Sequence, residues 1–192
     1  FIRAKRKFNY RRLSKMQIHL AQRYNDFVNH VLGTQFVLND IDLHTPKPAS
    51  LAAPPKLLLG ITPGATYGSA KRWYPEEFAK VAAALHEQYD IVIFGGANEV
   101  QMAEDIAQLL EKSHVFNQTK LAGNTKVNNL IEPIGQLTLF ITNDSGPMHV
   151  AAAFKVKTVA IFGPTNHIET HQWHNPNELI LRKPIECAPC MQ

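Results

Sequence analysis

The stretch Thr142-Asn143-Asp144-Ser145-Gly146-Pro147-Met148-His149 gathers a carboxylate, two hydroxyls, an amide and an imidazole in one short run. The apolar Leu137-Thr138-Leu139-Phe140-Ile141 precedes it, and the alanine-rich Val150-Ala151-Ala152-Ala153-Phe154 follows. That order reads as a buried strand, a polar turn, then a helix starting near Ser145 or Gly146. Such a turn sets backbone N–H groups and the positive end of a helix dipole at the carboxyl edge of a sheet. A phosphate or a ribose is the natural guest there. Asp144 and Ser145 can equally serve as helix caps. His149, one turn into the helix, can donate to a diphosphate or pack locally.

A second polar loop, Thr62 to Trp73, also follows an apolar strand and precedes a helix. Gly64 and Gly68 let the backbone approach a ligand closely, Thr66 and Ser69 add hydroxyl donors, and Lys71 adds a cation. The loop lacks the Gly-Lys-Ser/Thr ending of a P-loop, and no G-x-G-x-x-G occurs in the chain. Standing alone it would be a surface loop with a solvated lysine. Gly95-Gly96-Ala97-Asn98-Glu99 closes another strand with an acid just beyond it. An acid at that place holds ribose hydroxyls in nucleotide-binding α/β domains, or it complements the dipole of its own helix. Two anion-friendly turns in one domain define a site.

Two further constellations carry less. His167, His171 and His174 suggest a metal, but Ile168 after His167 breaks the H-E-x-x-H order, and Pro164 and Asn175-Pro176 mark a loop. No metal is expected there. Cys187-Ala188-Pro189-Cys190 has redox spacing, yet it follows Pro184 at the end of the chain. It reads as a reduced pair in a tail, or as half of a zinc site if the chain continues.

The elements that must position these residues alternate. A helix is expected from about Lys15 to Leu32, stopped by Gly33. Residues 34–55 hold Pro46, Pro48, Pro54 and Pro55 and read as a linker. From Lys56 onward strand and helix alternate. Strands are expected at Leu57–Ile61, Asp90–Phe94, weakly at Val115-Phe116, in the run ending before Asp144, and at Lys157–Phe162 as the last strong one. Helices are expected from Pro75, over Glu99–Lys112, over Val127–Ile134 and through Phe154. Repeated β-α order implies a parallel, doubly wound sheet with ligands at the carboxyl ends of strands. Gly64, Gly95, Asp144 and Gly163 all fall there.

The 192 residues suffice for one α/β domain plus an extra element, and 45% hydrophobic with 19% charged content is that of a soluble globular protein. A net charge of +4 does not by itself argue for nucleic acid. The charge is concentrated at the start: Arg3, Lys5, Arg6, Lys7, Arg11, Arg12 and Lys15 have no acid among them. They form a solvated arm or a contact for an anionic lipid head group or polyphosphate. No apolar run approaches the ~20 residues of a membrane span. No signal-peptide pattern is present, and two cysteines suit a reducing, cytoplasmic setting.

With those residues in view, the chain resembles the bacterial lipopolysaccharide heptosyltransferases (glycosyltransferase family 9), above all their type II members. The matching stretches are Pro63-Gly64-Ala65 with Lys71-Arg72-Trp73, Gly96-Ala97-Asn98-Glu99, Leu121-Ala122-Gly123-Asn124-Thr125, Asn143 to Ala152, and Phe162-Gly163-Pro164-Thr165. Cys187 to Cys190 fits the tail of that family as well. The resemblance implies a GT-B fold of two Rossmann-like domains, with residues 56–192 the donor-binding domain. Residues 1–33 would be the end of the preceding domain and a connecting helix. It implies ADP-heptose as donor substrate, no cofactor or metal, and transfer with inversion to the lipopolysaccharide inner core.

By position, Lys71 would neutralise the donor diphosphate with Thr66 beside it, and Glu99 would hold the ribose. Asn143, Asp144, Ser145, Gly146 and His149 would frame the phosphates and heptose. The general base would lie in a domain that this sequence does not contain, so the piece alone is expected to turn over little. Peripheral contact with the cytoplasmic face of the inner membrane is implied, and no nucleic-acid partner. A non-catalytic nucleotide-sugar-binding module and a GT-B-type nucleotide-sugar epimerase are the alternatives.

Overall fold

The computed structural model describes residues 17–41, 43, 56–66, 68–123, 127–186 and 188–190. The basic arm, most of the 34–55 linker, Asn124-Thr125 and Cys187 lie outside them. Six strands form one parallel sheet: β1 Leu57–Thr62, β2 Tyr89–Ile93, β3 Gln118–Lys120, β4 Leu139–Asn143, β5 Lys157–Phe162 and β6 Glu178–Arg182. Their order across the sheet is β3-β2-β1-β4-β5-β6. The helices are α1 Leu20–Leu32, α2 Pro75–Leu85, α3 Val100–Lys112, α4 Val127–Gly135, α5 Gly146–Ala153 and a single turn, α6, His167–Thr170. This is the Rossmann-like α/β architecture that the alternation of elements implies.

Strand order reverses between β1 and β4, which pair directly, with Leu59 opposite Leu139 and Ile61 opposite Ile141. At that switch point the loops after the two strands diverge and leave a crevice above the sheet edge. Period-two alternation sends β1 side chains to both faces. Leu59 and Ile61 join Ile91, Ile93 and Ile141 under Phe78 and Ala82 of α2 and Ile106 and Leu110 of α3. On the other face Phe94 and Phe140 meet edge-to-face at 6.0 Å and pack with Ile134 of α4 and Ala151 of α5. Position 60 on that face is a glycine, where a Cβ would run into the Leu137 and Phe140 side chains. Leu139, Ile141, Val159, Ile161, Leu179 and Leu181 border a groove of about 780 Å³ on the α2 side of the sheet.

Several element boundaries depart from expectation. The leading helix starts at Leu20, because the His19 ring accepts the Ala21 N–H and caps it there. Its end at Gly33 holds, with Gly33 in the left-handed region at φ 70°. The weak strand falls at Gln118–Lys120 instead of Val115-Phe116: Val115 is buried in the core, whereas Phe116 is exposed. Asn117 sets the later start, donating to the carbonyls of His86 and Tyr89 before Gln118 pairs with Ile91. β6 is an additional strand beside β5, with Thr158 opposite Glu178. No helix among the described residues is long and apolar enough to cross a membrane.

Candidate functional site

The loop after β1 and the turn after β4 are stitched together by one buried side chain. Asn143, fully shielded from solvent, donates from Nδ2 to the Pro63 carbonyl at 2.7 Å and accepts the Trp73 N–H on Oδ1 at 3.0 Å. Arg72 folds back so that Nε and Nη2 both donate to the Ala65 carbonyl at 3.1 Å. The Trp73 ring meets Phe78 edge-on at 5.1 Å, which seats the loop on α2. Between these anchors the short 3₁₀ turn Ser69–Lys71 carries the Lys71 side chain into the crevice.

There Lys71 Nζ donates to Asp144 Oδ2 at 2.7 Å, with the lysine side chain 17% and the aspartate 5% exposed. Thr165, in the loop after β5, donates its hydroxyl to the same oxygen at 2.6 Å. Removing a carboxylate and an ammonium from water costs several kcal/mol per ion unless each is well paired. Two short donors on one oxygen supply that pairing for Asp144. The result is an ammonium held in a defined place at the sheet's switch point.

A cavity of about 500 Å³ opens beside this pair. Its walls include Gly64, Thr66 and Lys71 from the first loop, Glu99 from the turn after β2, and Asp144, Ser145, Gly146 and His149 from the turn after β4. Thr170 closes one side. Ser145 stands at the N-cap of α5 without a side-chain capping bond, so the helix start is turned to the cavity uncapped by its own hydroxyl. Glu99 does two things. Its Oε2 accepts the Gly96 N–H at 2.7 Å while its own N–H donates to the Gly96 carbonyl, and its carboxylate lies so close to Gly64 that a Cβ there would overlap it. Glu99 thus caps its own turn and lines the cavity at once. At the cavity floor, the buried Thr62 hydroxyl oxygen has no hydrogen-bond partner among the described residues.

His149 is exposed and stands between the cavity and a second one of about 360 Å³ beside α1. Desolvation lowers its pKa below the ordinary 6.5, against the opposing pull of Asp144 and Glu178. It is a neutral imidazole at neutral pH, suited to hydrogen bonding more than to charge.

The structure thus brings Thr66, Lys71, Glu99, Asp144, Ser145, Gly146 and His149 around one cavity. Asn143 is near in sequence but is not part of the lining; both ends of its amide are spent on holding the loop. Thr165 and Thr170 are members of the arrangement to which no individual role fell from spacing alone. The signal for Thr165 was the Phe162-Gly163-Pro164-Thr165 turn at a strand end; Thr170 had none. The histidines diverge: His171 faces Glu178 at 3.1 Å, His174 faces Asp40 at 2.7 Å, and His167 meets Phe162 edge-on. No group of three or more His, Cys, Asp or Glu among the described residues is placed to hold a metal.

A family model described as glycosyltransferase family 9 (heptosyltransferase) matches residues 5–192. The lipooligosaccharide heptosyltransferase 2 of Campylobacter jejuni serotype O:2 is 46% identical over 138 residues, covering 71% of this chain and 43% of the relative. Among solved structures, ADP-heptose lipopolysaccharide heptosyltransferase II of Escherichia coli superposes with a TM-score of 0.62 at 31% identity, over 70% of this chain and 44% of that one. Escherichia coli heptosyltransferase WaaC with ADP gives a TM-score of 0.68 at 17% identity over 88% of this chain, a likeness of fold. The chain spans less than half the length of the relatives it matches at 31% identity and above.

Proposed function

The chain belongs to glycosyltransferase family 9, the heptosyltransferases, and from that premise we propose that its cleft is the donor site for ADP-heptose in heptose transfer to the lipopolysaccharide inner core. The observation that carries the reading is the Lys71–Asp144 pair fixed in the crevice beside the start of α5. A diphosphate needs a cation and backbone donors in one place, and here both face one cavity. Glu99 stands across the cavity as the acceptor for ribose hydroxyls, with Thr66 beside the phosphates. Asp144 and His149 border the space left for the sugar.

In the transfer, an acceptor hydroxyl forms a bond to the anomeric carbon as the bond to the diphosphate oxygen breaks, and the acceptor's proton passes to a base. Negative charge grows on the departing ADP. An ammonium already in place stabilises that charge more than it stabilises the bound ground state, which is what raises a rate. The base is assigned to a domain beyond this chain. The basic arm from Arg3 to Lys15 supports contact of the whole enzyme with an anionic lipid surface at the cytoplasmic face of the inner membrane.

Calorimetric titration of the 192-residue chain with ADP, UDP, GDP and adenosine tests the reading. ADP is expected to bind best, and Lys71→Ala to weaken ADP at least about tenfold while leaving adenosine unchanged, the loss of a charge-assisted bond. Equal losses for ADP and adenosine would remove the phosphate role of Lys71. Absence of any preference for ADP would remove the donor-site reading.

A further inference from the structure

We infer that Thr165 is a positioning residue for the Lys71 ammonium, acting through Asp144; this deepens the donor-site reading and rests on it. The Thr165 hydroxyl reaches Asp144 Oδ2 at 2.6 Å, the oxygen that also receives Lys71 Nζ at 2.7 Å. Loops after three different strands, β1, β4 and β5, therefore converge on one carboxylate oxygen. Thr165 does not line the cavity, so its influence on a ligand passes through the pair.

The physical need for it lies in the freedom of the other two side chains. An aspartate turns broadly about its last torsion, and a lysine stem has four rotatable bonds. The ion pair by itself does not choose one plane for the carboxylate. Threonine is short and restricted at its first torsion, so its hydroxyl selects one plane for the carboxylate and, with it, one place for the ammonium. A second donor on Oδ2 also disperses the carboxylate charge. Asp144 then competes less strongly with phosphate oxygens for the lysine.

The loop that carries Thr165 is itself held. A Cβ at Gly163 would sit 2.7 Å from the Ala70 carbonyl oxygen, so the β5 loop runs against the residue just before Lys71. Downstream, Glu169 pairs at 3.2 Å with Arg23, a buried residue of α1, and Thr170 reaches the cavity wall. Anchored on both sides, the hydroxyl is a fixed donor. Electrostatic stabilisation of a leaving group is effective when the cation needs no rearrangement as charge arrives, and this is what Thr165 supplies.

The test uses the 192-residue chain titrated with ADP and, separately, with adenosine. Thr165→Val removes the hydroxyl and should weaken ADP about tenfold while adenosine is unaffected. Thr165→Ser should return ADP to within about twofold of the parent. In a Lys71→Ala background, Thr165→Val should cost nothing further, because the residue through which it acts is gone. Thr165→Ala repeats the measurement if the valine variant does not fold. A valine variant with parental ADP affinity, equal losses for ADP and adenosine, a serine variant no better than valine, or additivity with Lys71→Ala would each overturn the inference. A parent chain without preference for ADP over adenosine would overturn the donor-site reading and this inference with it; a preference that depends on Lys71 but not on Thr165 would overturn this inference alone.

Discussion

At the scale of single residues, neighbours in sequence divide into those that face the cavity and those that hold the ones that do. Asn143 and Asp144 are adjacent, yet one is consumed by Pro63 and Trp73 while the other meets the crevice. Residue type cannot separate these roles, since an amide and a carboxylate at a strand end are equally good anchors or ligands. Lys71 and Asp144 could each be singled out from spacing, but their contact crosses 73 positions and only the sheet order creates it. Glu99 and Gly64 are a similar case, and they yield a prediction. A methyl at position 64 must displace the Glu99 carboxylate. If that carboxylate accepts the ribose hydroxyls, Gly64→Ala and Glu99→Ala should each weaken ADP by about tenfold, the worth of a hydrogen bond to a charged group. The double variant should be no weaker than Glu99→Ala, because the clash and the contact vanish together. Calorimetric titration of the three variants decides it. Additive losses would mean that Gly64 serves the loop and not the acid.

At the scale of elements, α1 is tied to the loop that walls the cleft. His19 accepts the Ala21 N–H on Nδ1, so its Nε2 carries the proton and donates to the His171 carbonyl at 2.8 Å. Arg23 reaches Glu169, and the Trp173 indole donates to the Asn39 carbonyl. The junction contains groups that titrate in opposite senses. The Glu178 hydrogen bond raises His171, so its contribution is complete below 6.5 and is lost as pH rises through the raised value. Desolvation lowers His19, His149 and His167, whose contributions are present above 6.5 and are lost as pH falls through the lowered values. The lowered histidines act on the acid side of 6.5 and the raised His171 on the basic side. The melting temperature should therefore peak near neutrality and fall towards about pH 5. His19→Asn keeps a capping acceptor for α1 without a titrating ring and should flatten that fall. Identical slopes for parent and variant would exclude His19 as a contributor. Little of this junction was legible in advance. The helical spacing of Leu20, Tyr24, Phe27 and Val31 marked α1, but its start depends on a histidine cap, an uncommon choice beside Ser, Thr, Asp or Asn. β3 and β6 are the edge strands of the sheet: β3, Gln118-Thr119-Lys120, has no apolar residue to mark it, and β6 has an apolar run of only three, Leu179-Ile180-Leu181, between Glu178 and Arg182.

At the scale of the molecule, the sheet fixes where the chemistry can be. β1 and β4 are mainly apolar runs followed by polar loops, and that pattern alone implied buried parallel strands with a site at their carboxyl ends. What the pattern could not supply is the adjacency of β1 to β4, which is a property of the winding and brings Lys71 to Asp144. The two cores then have a different duty from the loops: they hold strand register, and the loops hold groups. Phe140 separates these duties. It is fully buried, lies opposite Gly60 on one side and Thr158 on the other, and packs edge-on against Phe94. Phe140→Ala leaves a cavity on the α4–α5 face and should lower the free energy of unfolding by about 3–5 kcal/mol, read from chemical denaturation. Because its ring is on the face away from α2 and does not border the cavity, ADP affinity measured under conditions where the variant remains folded should stay within about twofold of the parent. A loss of ADP affinity in the folded variant, comparable to that of Lys71→Ala, would mean that the switch-point geometry depends on core packing as well as on strand order, and that the loop stitches through Asn143 and Thr165 are too weak to hold the pair alone.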